Sequence, residues 1–471
     1  MRFRIKRQQR NCRDGLVAWD IWGCAPRQRG AAILEQMVAR KTVCLRRLGN
    51  QRRGELRVWR FFANPRVTTG KIVAGWSERT GPAVAGRHVL AIQDTTEVKF
   101  PTHAQRRRGL GPIKSGNTYG VLVHAMVAVD TTSHACLGLV AGQVWNRPGV
   151  VETDHHDRPL TERESRRWLE TAVQAKAVLS SADMVTVVDD REGDIYAKWA
   201  SLPGPCFHIL TRAMVNRPLV GRTGKLFTAA RRFHLAGKRT IELPARSPAR
   251  AKRTAVVALR YGEVNICRPQ GEQDRSLPAS VRLRLIEVRE TSRRRKGVEP
   301  LHWRMLTTHE IADADQAWQI VGWYQARWVI EQLFRVMKSQ GLQLENSQLA
   351  SADRLAKLAA VATKAACIDI QLTQERDGAH GLLASTVFSE PEIDTIEALS
   401  PILEGNTQRQ KNPHPIRSLA HASWVIARLG GWNCYYKPPG PITFRRGMEQ
   451  FHAIHRGRLL EMRLQREVRI P

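Results

Sequence analysis

Apolar and polar positions along this chain follow a helical rhythm at both ends and a strand rhythm between them. Near the start, Ile33, Met37, Val43 and Leu45 recur at helical spacing and predict a small helical module. From about residue 86, β-branched runs take over, and His88–Gln93, Val121–Val129 and Cys136–Trp145 read as buried strands. Thr131-Thr-Ser-His134 lies between the last two and predicts a turn, so they form a hairpin. A helix is expected over Thr161–Ala177, because Thr161 with Glu164 three residues on has capping-box spacing. Met184–Val188 reads as a further strand. Val281–Val288 alternates apolar and charged residues at period two. Arg253–Tyr261 and Leu301–Thr308 are also strand candidates, with Ser292–Gly297 as the turn into the latter. Helical spacing then returns over Tyr324–Lys338, Leu355–Leu372 and Leu419–Leu429, the last stopped by Gly430-Gly431.

The helix over Tyr324–Lys338 carries unusual chemistry. At about 100° per residue, Tyr324, Arg327, Arg335 and Lys338 all fall within about 40° of Glu331. Trp323, Val329, Ile330, Leu333, Phe334, Val336 and Met337 lie outside that stripe and face a core. A carboxylate framed by cations and a phenol suits a phosphodiester, with the acid holding a metal and the cations gripping phosphate oxygens. The competing reading is an amphipathic helix whose charged stripe meets solvent, with Arg327–Glu331 as an i,i+4 pair. Two upstream aspartates favour the first. Asp94 and Asp190 each close an apolar run of strand character, where a carboxylate is costly unless paired or holding a cation. Asp189 and Asp130 compete by the same logic, and pattern alone does not separate Asp189 from Asp190.

Charge points to the partner. The 471 residues hold 75 Lys and Arg against 43 Asp and Glu, a formal charge of +32, with pI ≈ 10.8. Such an excess favours a polyanion through phosphate neutralisation and counterion release. No apolar run reaches the roughly 18 residues of a spanning helix. The opening Met-Arg-Phe-Arg-Ile-Lys-Arg lacks the apolar stretch of a signal peptide. A cytoplasmic protein off the membrane is therefore expected. The eight cysteines are scattered without a C-x-x-C pair, against a zinc ribbon or disulfide framework. Asp154-His155-His156-Asp157 reads as loop polarity rather than a metal cluster. Gly109-Leu-Gly111 does not fit the G-x-x-x-x-G-K-S/T phosphate loop, so no ATP-dependent step is expected.

Tyr324, Arg327, Glu331 and Lys338 reproduce the Y-(2)-R-(3)-E-(6)-K signature of the insertion-sequence-four family of bacterial DDE transposases. Asp94-Thr-Thr resembles that family's first acidic motif and Asp190-Arg-Glu-Gly-Asp-Ile its second. Trp59–Val67, Glu164–Trp168 and Pro300–Thr307 match in order, so the likeness runs over most of the chain. The resemblance implies an α/β fold, a ribonuclease-H-like catalytic core with a β-rich insertion, flanked by helical domains. In these terms residues 1–72 form a DNA-end-binding domain, 73–373 the catalytic domain with the insertion at about 214–308, and 374–471 a dimerisation domain.

The resemblance also implies the chemistry. Asp94, Asp190 and Glu331 are the catalytic carboxylates and ligands of two Mg²⁺ ions, for which Mn²⁺ substitutes. Tyr324, Arg327 and Lys338 hold DNA phosphates, and Trp303 stacks near a flipped base. The activity implied is cut-and-paste transposition: binding inverted-repeat ends of double-stranded DNA, cleaving them through a hairpin, and joining 3′ ends to target DNA as a homodimer. Two rivals are a metal nuclease on the same fold without strand transfer, and a DNA-binding derivative without catalysis.

Overall fold

The computed structural model describes residues 24–100, 109–113, 118–147, 164–222, 224–243, 253–292, 299–435 and 437–468. The first 23 residues, Asp154–Asp157, the Thr161 cap and most of the Ser292–Gly297 turn lie outside the described residues.

The strands are β1 (His88–Phe100), β2 (Gly111–Pro112), β3 (Tyr119–Asp130), β4 (Cys136–Trp145), β5 (Met184–Asp189), β6 (Phe207–Arg212), β7 (Leu235–Leu243), β8 (Arg253–Cys267), β9 (Ser280–Glu290) and β10 (His302–Thr307). They form one mixed sheet in the order β2-β3-β1-β5-β6-β10-β9-β8-β7, with β4 also paired to β3. β1, β3 and β4 form an antiparallel meander. β5 joins β1 in parallel, and β6 joins β5 in parallel. Parallel neighbours need a crossover, supplied before β5 by the helix Arg166–Val178 and before β6 by the short helix Tyr196–Ser201. Every residue of β3 after Tyr119 is buried, as expected of a central strand covered on both faces.

β1 differs from its sequence reading. It continues past Gln93 to Phe100, pairing with β3 as far as Tyr119. The run Asp94-Thr-Thr-Glu looks like a strand end, but Val98 and Phe100 resume the inward alternation and are buried. Asp94 therefore lies within the strand.

The strands after residue 214 extend the same sheet. β10 returns antiparallel beside β6, and β9, β8 and β7 follow outward. On β9, Leu283 and Leu285 point inward, while the alternate residues Arg282 and Arg284 pair with Glu263 and Glu310.

Helices cover the sheet near β3 and β4. The Ala-rich helix Ala352–Gln374 is buried along most of its length. Small side chains let it approach closely, and Trp76 Nε1 donates to the Ala360 carbonyl at 3.0 Å. The N-terminal helix Cys24–Arg40 packs against it and against Pro441–Val468; Lys41 pairs with Asp369 at 2.5 Å. Among the described residues no helix is long and apolar enough to cross a membrane.

Candidate active site

Two neighbouring parallel strands bring the aspartates together. Ile92 on β1 is in register with Val188 on β5, and Asp94 and Asp190 each lie two residues farther on. Period-two alternation continued from that pair directs both to the same face. Asp94 Oδ1 accepts the Thr95 N–H at 2.7 Å. Asp190 sits just past the end of β5 and caps a single 3₁₀ turn, its Oδ1 accepting from Glu192 N at 2.8 Å.

Glu331 arrives from a helix that is not one continuous rod. One helix ends at Gln325 and the next spans Trp328–Arg335. Across the junction, the N–H groups of Arg327, Val329 and Ile330 bond three residues back, to Tyr324, Ala326 and Arg327. That tightened turn breaks the 100° phase on which the single-stripe reading rested. Val336–Gln340 then winds as a π-helical turn bearing Lys338. Tyr324 is buried, Lys338 half-buried and Arg335 exposed. Arg335 keeps its i,i+4 spacing from Glu331 within the helix Trp328–Arg335.

Arg327 sits in the turn and joins the acids. Its guanidinium donates to Asp94 Oδ2 at 2.8 Å and to Glu331 Oε1. The Asp94 and Arg327 side chains are each 17% exposed and Glu331 29%. Burial, and then the charge of Asp190, push the Asp94 carboxyl up to about 7, against the pull of Arg327 and the Thr95 N–H. Burial works against the Arg327 charge, but Asp94, Tyr324, Glu331 and Asp190 together hold its pKa above the ordinary value.

The other predicted residues surround this centre. The Tyr324 phenol, raised in pKa by burial, hydrogen-bonds Arg212 at the end of β6. Tyr324 meets the Trp303 ring edge-on, with centroids 5.5 Å apart. Trp303 is half-buried against the core on β10. Burial lowers the Lys338 ammonium pKa, opposed by Glu345, Glu97 and Asp94. Lys338 also lines a cavity of about 370 Å³ together with Thr95, Glu97, Lys99, Arg167 and Glu192.

The rival aspartates have structural employment. Asp189 is fully buried, pairs with the buried Lys198, and accepts from Gln93 at 2.7 Å and Thr211 at 2.9 Å. Asp130 pairs with Arg87 at 2.8 Å and receives the N–H groups of Thr132 and Ser133. Two further residues of the second acidic motif support the fold as well. A Cβ on Gly193 would lie 2.4 Å from the Asp189 Cβ, and Asp194 binds Arg217 and the Met214 and Val215 N–H groups.

Sequence reading gave no role to Arg167, Glu192 or Arg212. Arg167 donates to Thr95 Oγ1 at 3.0 Å and to Glu192 at 2.7 Å, tying the helix before β5 to the strand that carries Asp94. It lies inside the matching segment Glu164–Trp168, which was the available signal.

The donor chemistry suits a hard divalent cation: three carboxylates, one of them held protonated to an unusually high pH by burial and its neighbours. As they stand, however, the acids are bridged by a guanidinium. Among the described residues no three His, Cys, Asp or Glu side chains are grouped to hold an ion. A cation between Asp94 and Glu331 requires Arg327 to turn aside.

A pH effect follows in the metal-free protein. Because Asp94 keeps its proton to about pH 7 in the fold and to about 3.8 in the ordinary state, its contribution to stability is complete at low pH and is lost as pH rises through about 7. In EDTA, Asp94→Asn should melt above wild type at pH 8 and level with it near pH 4. Equal melting temperatures at both pH values would contradict the shifted carboxyl.

No protein-family model matches the sequence. Among solved structures, the chain is similar to a piggyBac transposase synaptic complex with hairpin DNA, at TM-score 0.35 and 10% identity, over 71% of this chain and 54% of that one. The chain thus spans about half the length of that protein.

Proposed function

We propose that this chain is a DNA transposase of the insertion-sequence-four kind, cutting transposon ends and joining them to target DNA. The observation that carries the reading is the convergence of Asp94, Asp190 and Glu331 around Arg327, from β1, the end of β5 and the helix Trp328–Arg335. The strand order supports a ribonuclease-H-like core: an antiparallel meander followed by two strands parallel to its first member.

Asp94, Asp190 and Glu331 are the residues that would hold two Mg²⁺ ions, or Mn²⁺ in their place. Such ions supply Lewis-acid stabilisation of charge on the attacked phosphate. The chain's own groups do the rest. Arg327, released from the carboxylates, carries a guanidinium fork that fits two phosphate oxygens. Lys338 offers a point charge from the adjoining cavity. Tyr324, held by Arg212, presents its phenol beside Arg327 and fixes the face of Trp303. The N-terminal helices carry Arg47, Arg53, Arg57 and Arg60 around a partly exposed Trp59, suited to duplex phosphates. The C-terminal helices are the proposed dimer contact.

The test is end cleavage. A duplex taken from the gene's flanks, carrying short inverted repeats, should be nicked at the repeat boundary with Mg²⁺ and not with EDTA. Joining of the freed 3′ ends to a second duplex separates a transposase from a nuclease; cleavage without joining selects the nuclease. Binding to the same duplex should fall by orders of magnitude between about 50 and 200 mM salt, as many phosphate contacts require. A flat gel-shift titration would contradict the basic surface as the footprint.

Trp303 has its own expectation. If its face supports an extruded base, Trp303→Ala should leave first nicking intact and let nicked DNA accumulate ahead of the hairpin, since base–aromatic stacking is worth about 1–3 kcal/mol. A time course on a labelled end, beside a melting curve, reads this. Proportionate loss of every product with a lowered melting temperature returns Trp303 to a packing role.

A further inference from the structure

Two cysteines that the sequence places 231 positions apart meet inside the fold. Cys136 opens β4, and Cys367 lies in the helix Ala352–Gln374 packed on it. Both are buried, with Sγ atoms 3.8 Å apart. Their backbones are held in place: the Cys136 N–H donates to Gln374 Oε1 at 2.9 Å, one turn beyond Cys367's hydrogen-bond neighbour Gln371. The helix therefore presents Cys367 to the strand in a fixed register.

We propose that Cys136 and Cys367 form a site of reversible oxidation, closing to a disulfide that ties β4 to this helix when a hydroperoxide reaches them. This is independent of the DNA chemistry above. Closure needs the sulfur atoms to move from 3.8 Å to about 2.05 Å. A cavity lies close by. A cavity of about 320 Å³ is lined by Leu137, Gly138, Lys364, Ile368 and Gln371, immediate neighbours of both thiols.

The surroundings also favour one thiolate. The hydrogen bond from Cys136 lowers the Cys367 pKa, and the Lys364 ammonium adds to this against burial. The thiolate is the reactive form. Cys367 sulfur attacks one oxygen of the hydroperoxide, the O–O bond breaks, and the other oxygen leaves as an alcohol, or as water from hydrogen peroxide. Cys367 is then a sulfenic acid. Cys136 sulfur attacks it, the S–O bond breaks, and the oxygen leaves as water with the Cys136 proton. Two thiols lose two electrons and the hydroperoxide gains them.

The experiment uses the full chain. Purified, reduced protein is exposed to hydrogen peroxide, denatured in an alkylating reagent, and mapped by mass spectrometry. The expected product is a peptide pair linked through Cys136 and Cys367, lighter by two hydrogens and returned to free thiols by dithiothreitol. Cys136→Ala should leave Cys367 as a sulfenic acid that dimedone traps. Alkylation of both Cys136 and Cys367 after peroxide has already consumed the exposed Cys44 and Cys206 would overturn the proposal, as would a Cys367 linkage to any other cysteine.

Discussion

Replacing Asp94, Asp190 or Glu331 by Ala should lower Mg²⁺-dependent end nicking by about 10³-fold or more while DNA-end binding stays within a few-fold of wild type. On the proposed two-metal reading each removes a ligand of an ion whose Lewis-acid stabilisation amounts to several kcal/mol, and each 1.36 kcal/mol on the barrier is about tenfold in rate. Binding survives because phosphate contacts spread over many cations elsewhere. The three substitutions should not be additive, since groups that act as one unit fail together. Gel shift and a labelled-strand nicking assay on the same preparations separate the two effects. Normal nicking by Asp190→Ala would remove that residue from the centre.

Lys198→Met should be the most damaging change to the fold, costing about 3–5 kcal/mol, because it strands a buried carboxylate without its cation. Lys198 and Asp189 are both fully buried, and Lys198 also holds the Gly193 carbonyl at 2.6 Å. The double variant Lys198→Met with Asp189→Leu should recover much of the loss, as apolar pairs of similar volume replace buried ion pairs with little cost. Denaturant unfolding of the two variants reads both. A single variant as stable as wild type would show that Gln93 and Thr211 suffice to hold Asp189. The contrast with Asp190 is the useful part: neighbouring aspartates, one expected to fail in stability and the other in chemistry.

Much of the strand framework was legible because β-branched runs such as Val121–Val129 leave no other economical placement than a buried sheet. The length of β1 was not legible, since Asp94-Thr-Thr-Glu breaks the apolar run although the backbone pairing continues. The turn at Ala326–Arg327 was hidden for a related reason. Its residues are ordinary helix formers, yet their hydrogen bonds span three residues. Asp189 and Asp190 could not be separated by pattern because the partner that decides, Lys198, acts through three-dimensional contact. Arg327 was legible as an i,i+4 partner of Glu331, but not as its bridge to Asp94, which lies 233 positions away.

The most direct measurement of the central claim is Mn²⁺ binding to the full chain, followed by calorimetry and electron paramagnetic resonance without DNA cleavage. One shared carboxylate centre predicts saturable binding that Asp94→Asn, Asp190→Asn and Glu331→Gln each weaken on the order of 100-fold, the upper end of the 10–100-fold cost of an outer-shell change. Glu263→Gln, on β8 and paired with Arg284, should bind as wild type does. Binding that all three variants retain, or that the wild type lacks, would contradict a metal centre built from Asp94, Asp190 and Glu331.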